Sequence, residues 1–297
     1  VDKADNDLDH ELRKLKSNMT PSVWDPINGN SNLEYHKQLH RILSEIFDKI
    51  YNKTPIIFNE IANRSKPSAS GNHGIKKLAI SMLKYNCKNL GLSSGTEWGL
   101  YLSILKRTGI HQSNLDGFSF KSPNDKNLKS LWDEFDKILK DSLINRFELI
   151  ELFNIMDKSP FGIKLGLQPI LAIAFLQSHD GELSWYEDGD FIIDISPSII
   201  EIFLKRPNSF SFRYIKSSTF TEEFYNKLIS EFELTGTTPH LITPIDVLRP
   251  ILLEVNRLPE YTRYTSIGLN NITRKIRNMI LNTTEPERLI FVDIPKA

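Results

Sequence analysis

The chain has 297 residues, with 37 Lys+Arg against 37 Asp+Glu, seven His and a single Cys, a length that fits roughly two domains of about 150 residues. Its 40% hydrophobic, 10% aromatic and 25% charged residues exclude the collagenous, low-complexity and wholly disordered classes. The zero net charge excludes a function driven by bulk electrostatics.

Lone Cys87 permits no internal disulfide and no Cys-based zinc site, so a reducing, cytoplasmic setting is expected. No apolar run approaches the roughly 18 residues that span a bilayer, and the amino-terminal residues are acidic where a signal peptide would be basic. No membrane partner is expected. The apolar run from Leu289, ending abruptly at Ala297, reads as part of a longer protein.

Residues 1–32 form a polar lead-in with one short helix around Leu8 to Leu15 and a turn-prone Asp25-Pro26-Ile27-Asn28-Gly29-Asn30. Leu39, Ile42, Leu43, Ile46, Phe47 and Ile50 recur with the period of an amphipathic helix within 33–51. Thr54-Pro55 predicts a capped helix start running to about Asn63. A breaker-rich loop, Arg64 to Asn72, leads to a second helix carrying Ile75, Leu78, Ala79, Met82 and Leu83. Thr96 caps a helix with Trp98, Tyr101, Ile104 and Leu105, and Leu128 to Leu139 marks one more.

The pattern then changes to helix (Leu149 to Met156), a Pro-Phe-Gly loop, helix (Leu167 to Gln177) and a hairpin of Leu183 to Tyr186 with Phe191 to Ile195, turned at Asp188-Gly189. Ser196-Pro197 starts a helix to Lys205, and Phe210 to Ile215 alternates as a strand. Helical stretches at Glu222 to Phe232, Pro244 to Asn256 and Ile267 to Leu281 precede a terminal strand. The expected fold is mainly α with a small β component, a helical bundle-like half joined to a winged-helix-like unit. Its parts are the lead-in 1–32, a helical domain 33–146 with a basic helix-loop-helix, the winged-helix-like unit 147–220, and a helical portion 221–297.

No P-loop occurs, and Gly71-Asn72-His73-Gly74-Ile75-Lys76-Lys77 lacks the spacing and preceding strand of a phosphate cradle. Gly91-Leu92-Ser93-Ser94-Gly95 matches Gly-x-Ser-x-Gly, but a nucleophile elbow needs a strand before it, and the glycine cap of a helix is the better reading. His36 and His40 share a helix face, but Lys37 stands where a zinc peptidase carries its catalytic Glu, so a solvated face is expected. Asp180, Glu182, Glu187, Asp188, Asp190 and Asp194 invite a hydrolase reading through a divalent metal, but acidic hairpin turns form without one. No cofactor, metal site or catalytic residue is assigned.

Charge is distributed unevenly. Residues 151–200 hold two basic and eight acidic residues, while residues 51–100 hold seven basic and two acidic ones. Arg64, Lys66, Lys76 and Lys77 flank the early helical pair as candidate phosphate contacts, and Ser68, Asn72 and His73 add donors beside them. Arg274, Lys275 and Arg277 make a smaller second patch. The competing reading is that these cations only solvate a helix face.

Five strings occur in one order: Thr54-Pro55 through Arg64; Leu105 through His111; Ser159-Pro160-Phe161-Gly162-Ile163-Lys164-Leu165-Gly166 with Gln168-Pro169-Ile170-Leu171; Tyr186 through Phe191 with Lys205-Arg206-Pro207 and Phe210; and Leu258 through Thr262 leading to Phe291-Val292-Asp293-Ile294-Pro295. Together they resemble the non-NTPase middle region of large bacterial P-loop ATPases of phage-defence loci, BREX-type and related. The resemblance implies an accessory region, not itself an enzyme, whose partners are an ATPase domain of the same chain and other defence-system proteins. It carries no catalytic residues over. From the residues themselves, Gly162 and Gly166 relieve a cramped loop and Phe161 fills space between a helix and the wing.

The functional expectation is an accessory DNA- or RNA-binding or sensing module of such an ATPase. The alternative, from a different class, is a protein-interaction and oligomerisation scaffold.

Overall fold

The computed structural model describes residues 29–215, apart from 65, 86, 116, 143 and 144, together with residues 230, 244–285 and 289. Helix α1 spans Gly29–Ile50, α2 Ala69–Lys84, and α3 Gly95–Leu100, which widens into a π-helical turn at Tyr101–Lys106. A small hairpin, β1 His111–Asn114 and β2 Gly117–Phe120, precedes α4 at Lys126–Asp141. Next come β3 Phe147–Glu148, α5 Leu149–Asp157, α6 Gln168–Ser178, β4 Leu183–Glu187, β5 Asp190–Phe191, α7 Pro197–Lys205 and β6 Phe210–Tyr214. Helices α8 Pro244–Arg257, α9 Glu260–Tyr264 and α10 Asn271–Leu281 follow. The fold is mainly α with a small β component.

Apolar spacing explains most of these helices. In α4, Leu128, Leu131, Trp132, Phe135 and Leu139 form one buried stripe, and the Asp125 carboxylate caps the helix by accepting from the Asn127 and Leu128 amides. Helix α6 is different, because eight of its eleven residues are buried, as befits a helix with neighbours on every side. It packs on α2, α5 and β2. One apolar core therefore runs without a break from Ile57 to Phe212, across the boundary expected between residues 146 and 147.

The second sheet has strand order β3–β6–β4–β5, all antiparallel, with Trp185 opposite Phe212 and Phe147 opposite the same Phe212. The Asp188-Gly189 turn has positive φ at both residues, 48° and 96°, as a tight hairpin of native twist requires. The hairpin is not a free flap. Leu183, Ser184, Trp185 and Tyr186 of β4 are all buried, and β5 is only two residues long. With α6 enclosed as well, the winged-helix reading rests on element order alone.

Three local expectations are corrected. Thr54-Pro55 starts no helix, and residues 51–63 are turns and loop. The Thr54 hydroxyl donates to the Phe161 carbonyl at 2.5 Å, while Asn59 Oδ1 accepts from the Ile61 and Ala62 amides and turns the chain there. The basic helix-loop-helix thus lacks its first helix. Second, α2 begins at Ala69 with Ser68 as its cap, so Asn72 and His73 are helical. Third, the stretch expected as one helix from Ile267 is helical only from Asn271, and Glu260–Tyr264 forms an unexpected short helix. The helices expected at 8–15 and 222–232 and the terminal strand lie outside the described residues.

Close approaches set the relative positions of the helices. A Cβ on Gly74 would lie 2.6 Å from Thr96 Cγ2 and 2.9 Å from Thr96 Cβ, so α2 and α3 touch at a place where no side chain fits. Gly74→Ala is expected to destabilise the protein by about 1–2 kcal/mol in urea titration, overpacking outweighing the helix propensity gained. A neutral or stabilising result would show that the two helices separate at little cost. Gly166 serves a similar role, its α-carbon facing the Ile61 carbonyl, which a Cβ would approach to 2.8 Å.

Candidate interaction groove

Helix α2 turns Ala69, Asn72, His73 and Lys76 along one stripe, at intervals of three and four residues. This stripe forms one wall of a groove of about 1030 Å³. The opposite wall is α7 with Glu201, Leu204 and Lys205, and the floor is Ile150 and Phe153 of α5. Leu165 and Asp157 continue it into a second recess of about 550 Å³ bounded by Phe47 and Tyr51. Leu165 is 58% exposed and Phe47 46%, so apolar surface lies open along the groove.

Its electrostatics are built from nearby carboxylates. Lys76 Nζ donates to Glu201 Oε1, and Lys205 Nζ approaches Glu201 Oε2 at 3.9 Å. Two ammonium groups thus share one carboxylate at one end of the groove. Asp157 stands between the two recesses.

The residues named from the sequence are distributed as follows. Asn72, His73 and Lys76 line the groove. Lys77, one position on, leaves α2 toward α3 and donates to Glu97 Oε1 at 3.3 Å. The Glu97 carboxyl is held below its ordinary range first by a backbone amide bond and further by Lys77, so Lys77 acts as a helix-to-helix tie. Arg64 donates to Glu60, four residues earlier. Ser68 Oγ accepts from the Gly71 amide at 3.2 Å as the α2 cap, and Lys66 is exposed. The structure therefore splits Lys76 from Lys77 and places Arg64, Lys76 and Lys77 each on a carboxylate.

The other motifs resolve into structure. No strand precedes Gly91-Leu92-Ser93-Ser94-Gly95; the stretch before Ser93 is a short 3-10 turn with Asn89 and Leu90 in left-handed backbone. Glu182 stands on His179 and Asp188 on Arg206. Among the described residues no group of three His, Cys, Asp or Glu side chains is placed to hold a metal. No described helix is long and apolar enough to cross a membrane.

Sequence reasoning missed Ile150, Phe153, Glu201, Leu204 and Lys205 as companions of the α2 stripe. Periodicity marks each as part of a helix, but nothing local marks α7 as the neighbour of α2. Comparison with protein-family models, curated proteins and solved structures returns no match.

Proposed function

We propose that this chain is a non-catalytic interaction module whose groove receives a helical segment of a partner protein. The observation that carries this reading is the exposed apolar surface of Leu165 and Phe47 along a continuous groove floored by Ile150 and Phe153. Helical segments dock into such grooves through apolar anchors one helical turn apart, and exposed apolar surface of this kind marks interaction sites. The shared Glu201 leaves one positive charge uncompensated between Lys76 and Lys205, which favours a partner helix carrying a carboxylate at that end. In an accessory region of a phage-defence ATPase, which the ordered strings resemble, the partner segment belongs to the ATPase domain or to another protein of the defence system.

The phosphate-contact reading of Arg64, Lys66, Lys76 and Lys77 has less support, because nucleic acid would have to displace Glu60, Glu97 and Glu201 from three of the four. A displayed library of helical peptides tests the groove. The chain should enrich peptides with an apolar stripe and an acidic residue, and Leu165→Asp or Lys76→Glu should weaken the enriched peptides about tenfold or more, with Lys77→Glu close to wild type. Enrichment of no peptide, or binding indifferent to Leu165→Asp, removes the proposal. Leu165 is exposed, so its replacement leaves the core intact.

A further inference from the structure

Residues 261–284 contain no Asp or Glu, yet they contain Arg263, Arg274, Lys275 and Arg277. The structure gathers part of this stretch into one surface. Arg277 Nη1 on α10 donates to the Thr262 and Thr265 carbonyls at 3.1 and 2.6 Å, which pins α10 against the end of α9. Tyr261 and Tyr264, three residues apart on α9 and so neighbours on its surface, are 71% and 68% exposed. Ile267 and Ile272 beside them are exposed as well.

The contrast with the groove is electrostatic. Among the described residues none of these four cations is paired with a carboxylate; Arg274 reaches only the Asn271 side-chain oxygen, and Arg277 only backbone carbonyls. The Nε atoms of Arg263, Arg274 and Arg277 are shielded from solvent and have no hydrogen-bond partner. Uncompensated cations beside exposed aromatic rings are the two elements a single-stranded nucleic acid needs: phosphate neutralisation and a stacking platform for bases. A duplex keeps its base faces stacked on one another and cannot use the tyrosines. A lipid surface fits less well, because Met279 and Ile280 of α10 turn inward against Leu252 and Leu289, which leaves Ile272 as the exposed large apolar residue of that helix, too little for an apolar face that lies in a bilayer.

We infer that α9 and α10 form a binding surface for single-stranded nucleic acid, with Tyr261 and Tyr264 stacking bases and Arg263 and Arg274 meeting phosphates. Arg277 is a positioning residue that holds the two helices together. The surface is separate from the groove and does not depend on it.

Fluorescence anisotropy with a labelled oligothymidylate of about 20 nucleotides tests this. Two phosphate contacts predict that affinity falls about sevenfold between about 50 and about 200 mM salt. Tyr261→Ala with Tyr264→Ala should weaken binding at least about tenfold, Tyr261→Phe with Tyr264→Phe should retain it, and Arg263→Glu with Arg274→Glu should abolish it. None of these residues is buried in the core, so circular dichroism should be unchanged. Absence of binding at about 50 mM salt overturns the inference, as does equal affinity of the double alanine variant or a preference for duplex of the same length. Binding to phosphatidylserine vesicles in place of the oligonucleotide, or loss of oligonucleotide binding on Lys76→Glu instead of on the tyrosine changes, overturns it too.

Discussion

Truncating Phe175 to alanine is expected to lower the unfolding free energy by about 4 kcal/mol. The ring is fully buried in the carboxy-terminal half of α6. It meets Phe135 edge-on with centroids 5.0 Å apart, Trp132 at 5.9 Å and His179 at 5.0 Å. Removing a buried Phe costs about 3–5 kcal/mol through lost transfer energy and the cavity left behind, and edge-to-face pairs add to that. Because α6 contacts α2 on one side and α5 on another, the walls cannot close on the hole without moving the groove that α2 and α5 line. A marginally stable fold of about 5–15 kcal/mol retains only part of its margin. The measurement is a urea titration, with a lower midpoint at unchanged slope. Ile42→Ala on α1, where the side chain is 38% exposed, should stay within about 0.5 kcal/mol. A Phe175→Ala loss below about 1 kcal/mol would mean that α6 is not the centre of the core.

Two cap-plus-proline signals in this chain show what local sequence decides. Ser196-Pro197 and Thr54-Pro55 read alike. Ser196 Oγ accepts from the Ile199 amide and α7 follows. The Thr54 hydroxyl instead donates to Phe161, 107 residues away, and the chain continues as turns. A cap is a local preference of about 1 kcal/mol, and a tertiary hydrogen bond to a distant loop outweighs it. Helix α4 was legible because five apolar residues repeat at helical spacing and packing rewards that stripe. The β1–β2 hairpin was not, since only His111 and Phe120 of its eight residues are buried. Short polar strands carry no alternation to read.

The candidate site divided in the same way. Asn72, His73 and Lys76 stand at helical intervals, so their common wall follows from the sequence once α2 is known to reach back to Ala69. The cations were visible as a count, but their partners were not: Glu201 lies 125 residues from Lys76, and such a pairing leaves no local trace. The α9–α10 surface was half legible: Arg274, Lys275 and Arg277 cluster in the sequence, but nothing local shows that Arg277 ties α10 to the exposed tyrosines of α9.

The second large effect is a loss of stability on the alkaline side, carried by His179. Its Nδ1 is 3.4 Å from Glu182 Oε2 and its Nε2 3.4 Å from Asp136 Oδ1, the latter an ion pair without an aligned hydrogen bond. Phe175 and Tyr214 cover the ring at 5.0 and 6.3 Å. Burial alone would lower the imidazolium pKa, but the two carboxylates overcome it and raise the value from 6.5 to about 9. A native pKa above the unfolded one means that the folded chain binds this proton more tightly. The stabilisation is thus complete below about pH 6.5 and disappears as pH climbs through about 9. With the side chain 22% exposed and solvent screening part of the attraction, the contribution is about 2–3 kcal/mol. Tyr214, whose phenol is pushed up by burial and then by Glu182 and Asp136, adds its own loss only above about pH 10, so the window from 7 to 9.5 belongs to the histidine. Buried His111, its imidazole pushed down by desolvation, acts at the opposite end: its neutral form is favoured, and stability falls as pH drops below about 6.5. Thermal unfolding followed from pH 5 to 10 should therefore show a maximum near neutrality. His179→Gln should flatten the alkaline limb while leaving the acid limb in place. An alkaline limb of unchanged steepness in that variant would place the titrating group elsewhere.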